Sequence, residues 1–503
     1  MIFVRTFLLM LLLFGGALQA APNLPLEDPA WVRLRDAGAR GLLPDLLGGA
    51  QLLGEDEVQR ALSLARLGPD PRLLPAGERG FWLRPLERAA LRAVAVDEHD
   101  RPYSLEARPR NLAGQIGLSC EFQEGRPCGG GLGLMSELDS SAGVGSWLSG
   151  TTRLRFDLGN NRYQPALQVD RAYLKAQLGA LAVEAGRDTL ALGPSARAAI
   201  MVSQNAAPLD QLRAWTRPFA LPFLDADVLR VSFLYFIARL RQPQTFEGTL
   251  VDCTRMQLDL FKRIELGGTR LLQFGGSGAP PVGFEDFVGL HFSRKYDANK
   301  RPFSDNRLAL DLAVSVPELA GGRVYLEFGS EDFRNQELNV LQYEADYLIG
   351  AEFRALSAGP LRRVLLEVTK SGRLSQEGLY WLTGWTNAGR TLGSPLGPDG
   401  LSLYLRAELE LPVGRISPWV ESVRFSSDTF KDDGRGDGGI QVDQAGPTER
   451  RQRAGVDLAI ALRRWLQLDA NAWVERVTTA DLRPGSERLN AGVVATLRYA
   501  PDF

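Results

Sequence analysis

The chain has 503 residues, a formal net charge of -2 and three cysteines. With a pI near 6.0 it lacks the basic surplus that nucleic acid demands of a partner. Three cysteines in so long a chain do not make a disulfide scaffold. A mean hydropathy of -0.13 suits a soluble protein, and equally a membrane barrel in which lipid-facing and lumen-facing residues alternate and cancel.

Residues 1–20 carry a secretory signal. Arg5 supplies the positive start, Phe7 to Phe14 an uninterrupted apolar run, and Leu18-Gln19-Ala20 the small-residue cleavage site. No later apolar run reaches the ~20 residues of a spanning helix; Val228 to Leu240 is broken by Arg230, Ser232 and Arg239. Export without such a helix leaves a periplasmic protein, a secreted protein or an outer-membrane barrel.

Residues 21–104 read as helical. Asp28 caps a first helix with Pro29 at its first position, followed by Trp31, Leu34 and Ala37 at helical spacing. Acids Glu55 to Glu57 open a second helix, and Pro85 starts a third through Leu86, Ala89, Ala90 and Ala93. Three short helices have too little core to stand alone, so they are expected to lean on a larger body.

From 105 to 503 the period becomes two. Leu154 and Phe156 alternate with Arg153, Arg155 and Asp157; Val324, Leu326 and Phe328 with Arg323, Tyr325 and Glu327; Leu401 to Leu411 with Ser402, Tyr404, Arg406, Glu408 and Glu410. One face is apolar and the other carries charge, often of both signs. In a barrel, Arg153, Arg155, Asp157, Arg323, Glu327, Arg406 and Glu408 would form a polar network in the lumen. A soluble sandwich would alternate in the same way, so each strand taken alone leaves both open. Short connections such as 319–322 and 357–360 suit periplasmic turns, whereas 121–149 and 427–451 suit surface loops. Cys120 and Cys128 bracket a short loop and would pair in an oxidising compartment, for about 2–3 kcal/mol at most; Cys253 is left as a buried free thiol. The last strand, Leu489 to Phe503, keeps the alternation and stops on an aromatic, as outer-membrane chains usually do. Phe503 is therefore expected to act as the assembly signal.

Catalytic patterns are thin. Only His99 and His291 are present, which excludes histidine-clustered metal sites. Gly275 to Ala279 breaks the nucleophile-elbow pattern at its last position, and Asp432, Asp433 and Asp437 lack the ligand spacing of a calcium loop. The expectation is a non-enzymatic protein with no metal and no cofactor.

Two runs carry more information: Gly186-Arg187, Leu192-Gly193-Pro194-Ser195 and Met201 to Pro208; then Tyr380, Gly384 to Arg390, Leu392-Gly393 and Gly397 to Gly400. With the helical front end, they resemble the capsule-assembly Wzi family of outer-membrane proteins. Leu192 stands where that family commonly has an aromatic. The resemblance implies an all-β antiparallel transmembrane barrel of 18 strands with a small N-terminal α-helical bundle on the periplasmic side. It also implies a lectin-like role in holding or assembling surface polysaccharide, capsule or exopolysaccharide, at the outer membrane. Glycine, proline and asparagine in both runs suit turns and loops folded into the lumen. Trp381, Trp385, Asn387 and Arg390 offer the aromatic and planar groups that sugars take, and are the candidate polysaccharide contacts. The expected partners are outer-membrane lipid, the polysaccharide and the barrel-assembly machinery, with the protein a monomer. A porin or substrate-specific channel is the alternative.

Replacing Phe503 with Ser tests the terminal signal. One aromatic contributes only ~1.5–3 kcal/mol even when fully buried, so a large barrel tolerates its loss thermodynamically. The heat-modifiable, membrane-inserted fraction should nevertheless fall well below wild type at equal expression; equal fractions would remove the signal role.

Overall fold

A computed structural model describes Asn23, Leu34, Arg35 and most of the chain from Tyr103 to Tyr499. Within that span residues 117–131, 145–146, 160–166, 196, 222–224, 226, 293–301, 331–343, 355–359, 374, 376–379, 412–413, 433–439 and 464–465 lie outside the description. The expected signal, almost all of the helical front end, the Cys120–Cys128 pair and Phe503 therefore fall outside it.

The strands are β1 (Tyr103–Ile116), β2 (Leu132–Val144), β3 (Leu148–Gly159), β4 (Leu167–Leu178), β5 (Leu181–Asp188) and β6 (Leu209–Thr216). They continue as β7 (Leu229–Arg239), β8 (Leu250–Leu260), β9 (Ile264–Phe274), β10 (Ser304–Val316), β11 (Gly322–Ser330) and β12 (Asp346–Phe353). The last six are β13 (Leu361–Lys370), β14 (Gly400–Leu411), β15 (Gly414–Ser426), β16 (Thr448–Arg463), β17 (Leu466–Thr478) and β18 (Glu487–Tyr499). The short segment Phe219–Ala220 pairs with β7 just as β6 does, so it extends β6, and the sheet has 18 strands among the described residues.

Every strand pairs antiparallel with its sequence neighbour, and β18 returns to β1 with Leu112 opposite Leu497. This ring of pairings leaves no edge strand, as a backbone immersed in lipid requires. No described helix is long and apolar enough to cross a membrane. Connections after even-numbered strands are mostly short, such as Gly179–Ala180 and residues 261–263, while those after odd-numbered strands are mostly long. In outer-membrane barrels the short turns are periplasmic and the long loops extracellular.

Alternation decides which side chain faces which way. Leu310, Val324, Leu403 and Val493 are exposed on the outer wall, while Arg153, Arg307, Tyr325 and Glu327 are buried within. Inside, aromatics lie over glycines directly across the ladder: Tyr325 on Gly350, Trp419 on Gly455 and Trp473 on Gly492. Where a glycine leaves room, charge reaches further. Gly267 of β9 lies between Arg255 of β8 and Asp311 of β10, which pair at 2.6 Å across the intervening strand.

The few described residues of the front end sit against this inner wall. Asn23 receives a hydrogen bond from Lys175 at 2.9 Å and donates to Glu184 at 2.6 Å. Leu34 is fully buried, and burial together with the Arg354 guanidinium pushes Arg35 down to about 9.

Leu310 stands in the middle of β10 with its side chain outward. Leu310→Arg should destabilise the folded barrel by about 2–4 kcal/mol, the cost of a midplane arginine on a lipid face. The measurement is the urea midpoint of heat-modifiable protein in lipid vesicles; an unchanged midpoint would mean that this wall does not meet the bilayer.

Candidate functional site

Two of the long connections turn inward. One is residues 189–208, between β5 and β6; the other is residues 371–399, between β13 and β14. They contain most of the two glycine-rich runs singled out in the sequence, with Gly186-Arg187 in β5 and Gly400 opening β14.

The first connection folds back on itself, with Leu192 N–H donating to Val202 O at 2.9 Å. At its tip the Ser195 hydroxyl accepts Arg197 N–H and Ala198 N–H, both at 3.0 Å, a serine turn that holds the loop tight. Ser203 N–H then donates to Leu392 O at 2.7 Å, and the Ser203 hydroxyl to Gly393 O at 2.6 Å. Asn205 Nδ2 donates to Thr391 Oγ1 at 2.8 Å. Asn387 Nδ2 donates to Ala207 O at 2.8 Å while its Oδ1 accepts Arg241 N–H at 2.7 Å from the connection after β7. Three loops distant in sequence are thus joined largely through backbone groups. The approach is so close that a Cβ on Gly393 would stand 1.8 Å from Ile200 O, which only glycine permits.

The wall grips this assembly with carboxylates. Glu367 of β13 accepts the Ser195 hydroxyl and, at 2.9 Å, the Tyr325 hydroxyl. Glu327 of β11 accepts Ile200 N–H at 3.1 Å, and Arg323 donates to Pro194 O at 2.5 Å. Arg197 lies 4.0 Å over the Tyr404 ring and 2.6 Å from Glu421. Burial disfavours its charge, but Glu421 and then Glu367 outweigh that and hold it above its ordinary value. Around the loops, Leu192, Ile200, Met201, Trp385 and Leu392 join inward side chains from β5 round to β14 in one apolar cluster. The joining of these two loops to each other and to the wall is what the alternating pattern did not reveal.

The predicted polar network is arranged as follows. Arg153 pairs with Asp139 at 2.6 Å, Arg155 with Asp170 at 3.0 Å, and Arg323 with Glu265 at 3.2 Å. Arg406 pairs with Asp457 and lies 3.4 Å from Glu408, which meets Arg363 at 2.7 Å. The side chain of Asp157 lies outside the description.

Of the four candidate sugar contacts, Trp381, Trp385 and Asn387 are fully buried. Trp381 donates to Gly275 O at 3.2 Å and packs edge-on against Tyr380 and Phe246. Trp385 lies 5.9 Å beneath the Arg307 guanidinium. In this conformation neither indole presents a face to a ligand, and both hold the loops together. Arg390, half-buried on the small hairpin formed by Thr386–Asn387 and Arg390–Thr391, is the most accessible of the four. Nearby, a narrow cleft between the loop tips and the wall is lined by Arg197, Ser394, Leu396, Ser402, Glu421 and Phe425 among others. Sequence reading passed over Arg197 although it lies within the first run; Ser402 and Glu421 were findable as inward positions of their strands.

Gly393→Ala should separate the joined loops while leaving the wall intact. The expected result is normal heat-modifiable mobility with new ion conductance in planar bilayers. Conductance equal to wild type would show that this contact does not keep the loops in place.

Comparison with known proteins adds a lineage to this geometry. A solved structure described as Wzi, an outer-membrane carbohydrate-binding β-barrel involved in group 1 capsule assembly in Escherichia coli, superposes with a TM-score of 0.70 at 15% identity, covering 96% of this chain and 100% of that one. OccD3 of Pseudomonas aeruginosa follows at 0.44 and 11% identity over 79% and 91% of the two chains. The Acinetobacter baumannii outer-membrane channel DcaP scores 0.37 at 11% identity over 80% and 98%. No curated protein matches the chain. The family model for the capsule assembly protein Wzi matches residues 117–491, and the chain belongs to that family of outer-membrane β-barrels.

Proposed function

We propose that this barrel binds surface polysaccharide at its extracellular rim and holds or helps assemble it there, without catalysing a reaction. The observation that carries the reading is the pair of inward loops knitted to each other and to the wall, which makes the lumen a support rather than a passage. Family membership and the carbohydrate binding of the E. coli barrel support it. The channel alternative needs an open lumen, and the joined loops argue against one.

The cleft beside Arg197 is where a sugar would dock. Arg197 supplies a planar cation suited to uronate or pyruvyl carboxylates, Ser394 and Ser402 supply hydroxyls, and Phe425 supplies an aromatic face. Trp381, Trp385 and Asn387 then act as the scaffold that fixes the loops, with Arg390 as an accessory contact. In the same reading the N-terminal bundle covers the periplasmic mouth, the barrel-assembly machinery inserts the chain, and the protein works as a monomer.

Immobilised mature protein is tested against acidic capsular and exopolysaccharides, beside single-channel recordings. Phe425→Ala and Arg197→Gln should each weaken polymer binding by about tenfold, the scale of a single well-placed ion pair or stacked ring, with heat-modifiable mobility unchanged. Undiminished binding in both variants would move the site away from the cleft. Stable porin-like conductance of the wild type would favour the channel.

A further inference from the structure

The one described α-helix in the strand region, α1 (Phe284–Phe292), lies in the connection between β9 and β10. It packs against the outside of the wall, as side-chain direction along β9 shows. Gln273 donates to Gly384 O of the inward loop, and Thr269 accepts Arg255 within the lumen. Arg270, Leu272 and Phe274 therefore point outward. Elsewhere on these strands outward residues are bare, as with Met256, Leu266 and Leu310, yet Leu272 and Phe274 are buried. They are covered by Leu290 and Phe287 of α1, in a cluster with Phe303, Ile237 and Leu250. The Phe274 and Phe287 rings stand 5.6 Å apart.

Polar groups fasten the helix to the wall. Arg270 donates to Leu290 O at 3.0 Å and to His291 O at 3.2 Å, satisfying carbonyls that the helix end leaves without partners. His291 Nε2 lies 3.4 Å from Asp252, an outward carboxylate that is almost completely buried beneath the helix. An acid in that position would be costly against bare lipid; with α1 in place it is covered.

The helix has a second apolar stripe on the flank beside the face that meets the wall. Phe284 is 83% exposed and Val288 42%, one turn apart and so on one face. Between Ile264 and Leu272 the strand climbs roughly 20 Å along the barrel axis, at ~3.3 Å per residue and ~40° of tilt. That is close to the ~25 Å height of a barrel's apolar band, so α1 lies near its extracellular edge, and its bare stripe continues the lipid-facing surface below.

We propose that α1 is an interfacial helix set into the outer leaflet, with Phe284 and Val288 among lipid acyl chains and its other face fixed to β8 and β9. The occupant is lipid rather than a second protein because the stripe is continuous with the apolar wall. The inference stands apart from polysaccharide binding and needs only the barrel.

The test uses the full mature chain with Cys120→Ser and Cys128→Ser, keeping the buried Cys253, and a bimane fluorophore on Phe284→Cys. In phosphatidylcholine vesicles, lipids brominated on the acyl chains should roughly halve its emission, as for a side chain at the hydrocarbon boundary. Aqueous iodide should change it little. Arg483→Cys, on an exposed turn between β17 and β18, should respond in the opposite way. Val288→Cys serves as a second reporter should the first variant fail to show heat-modifiable folding. Iodide quenching at 284 and 288 as strong as at 483 would place the stripe in water and overturn the proposal. Shielding from both quenchers, with a cross-linked dimer, would assign the stripe to a second copy and overturn it equally.

Discussion

Carboxylates buried on the inner wall lose their hydration, so each needs donors fixed close by. The loop between β5 and β6 supplies many of them: a serine hydroxyl for Glu367, a backbone N–H for Glu327 and a guanidinium for Glu421. The dependence is mutual. A loop brought into a barrel strips its own backbone groups of water, and the wall and the second loop satisfy these in turn. Removing a wall acid would leave loop donors unpaired, and removing the loop would leave wall acids uncompensated. The position of the loops and the charges of the wall are one constraint.

The same constraint explains why glycine and asparagine are placed as they are. Gly393 lets two backbones come into contact, and a Cβ on Gly193 would stand 2.9 Å from the Glu327 carboxylate. Asn387, fully buried, uses its amide as donor and acceptor at once and joins three connections. Residues that look like surface turns in the sequence are therefore interior packing elements. Aromatics follow the same logic: Trp381 and Trp385 fill the spaces between loops.

How much of this could be read beforehand differs by level. Alternation along Arg153–Phe156, Arg323–Phe328 and Leu401–Glu410 gave both the strands and the direction of their side chains, because a period of two is a local property. The first strand starts at Tyr103 and the last runs to Tyr499. What could not be read is which side chains meet once strands and loops are in place. Arg255 reaches Asp311 over Gly267 of the strand between them, and Asn205 meets Thr391 where two loops join; nothing local encodes either. Exposure of the tryptophans failed for the same reason: a Trp in a glycine-rich loop looks available until its loop is placed against another.

The pairing of opposite charges along the inner wall bears on how the protein would meet a polyanion. Arginines sit within hydrogen-bonding reach of aspartate or glutamate around much of the ring, from Arg153 and Asp139 to Arg453 and Glu475. Paired so closely, such charges cast little field beyond a Debye length. A charged polymer would not be drawn from a distance toward the barrel axis, and its capture would rest on short-range contacts at the rim. Attachment of that kind is only weakly sensitive to ionic strength, an advantage for a protein that faces a medium whose salt it does not control.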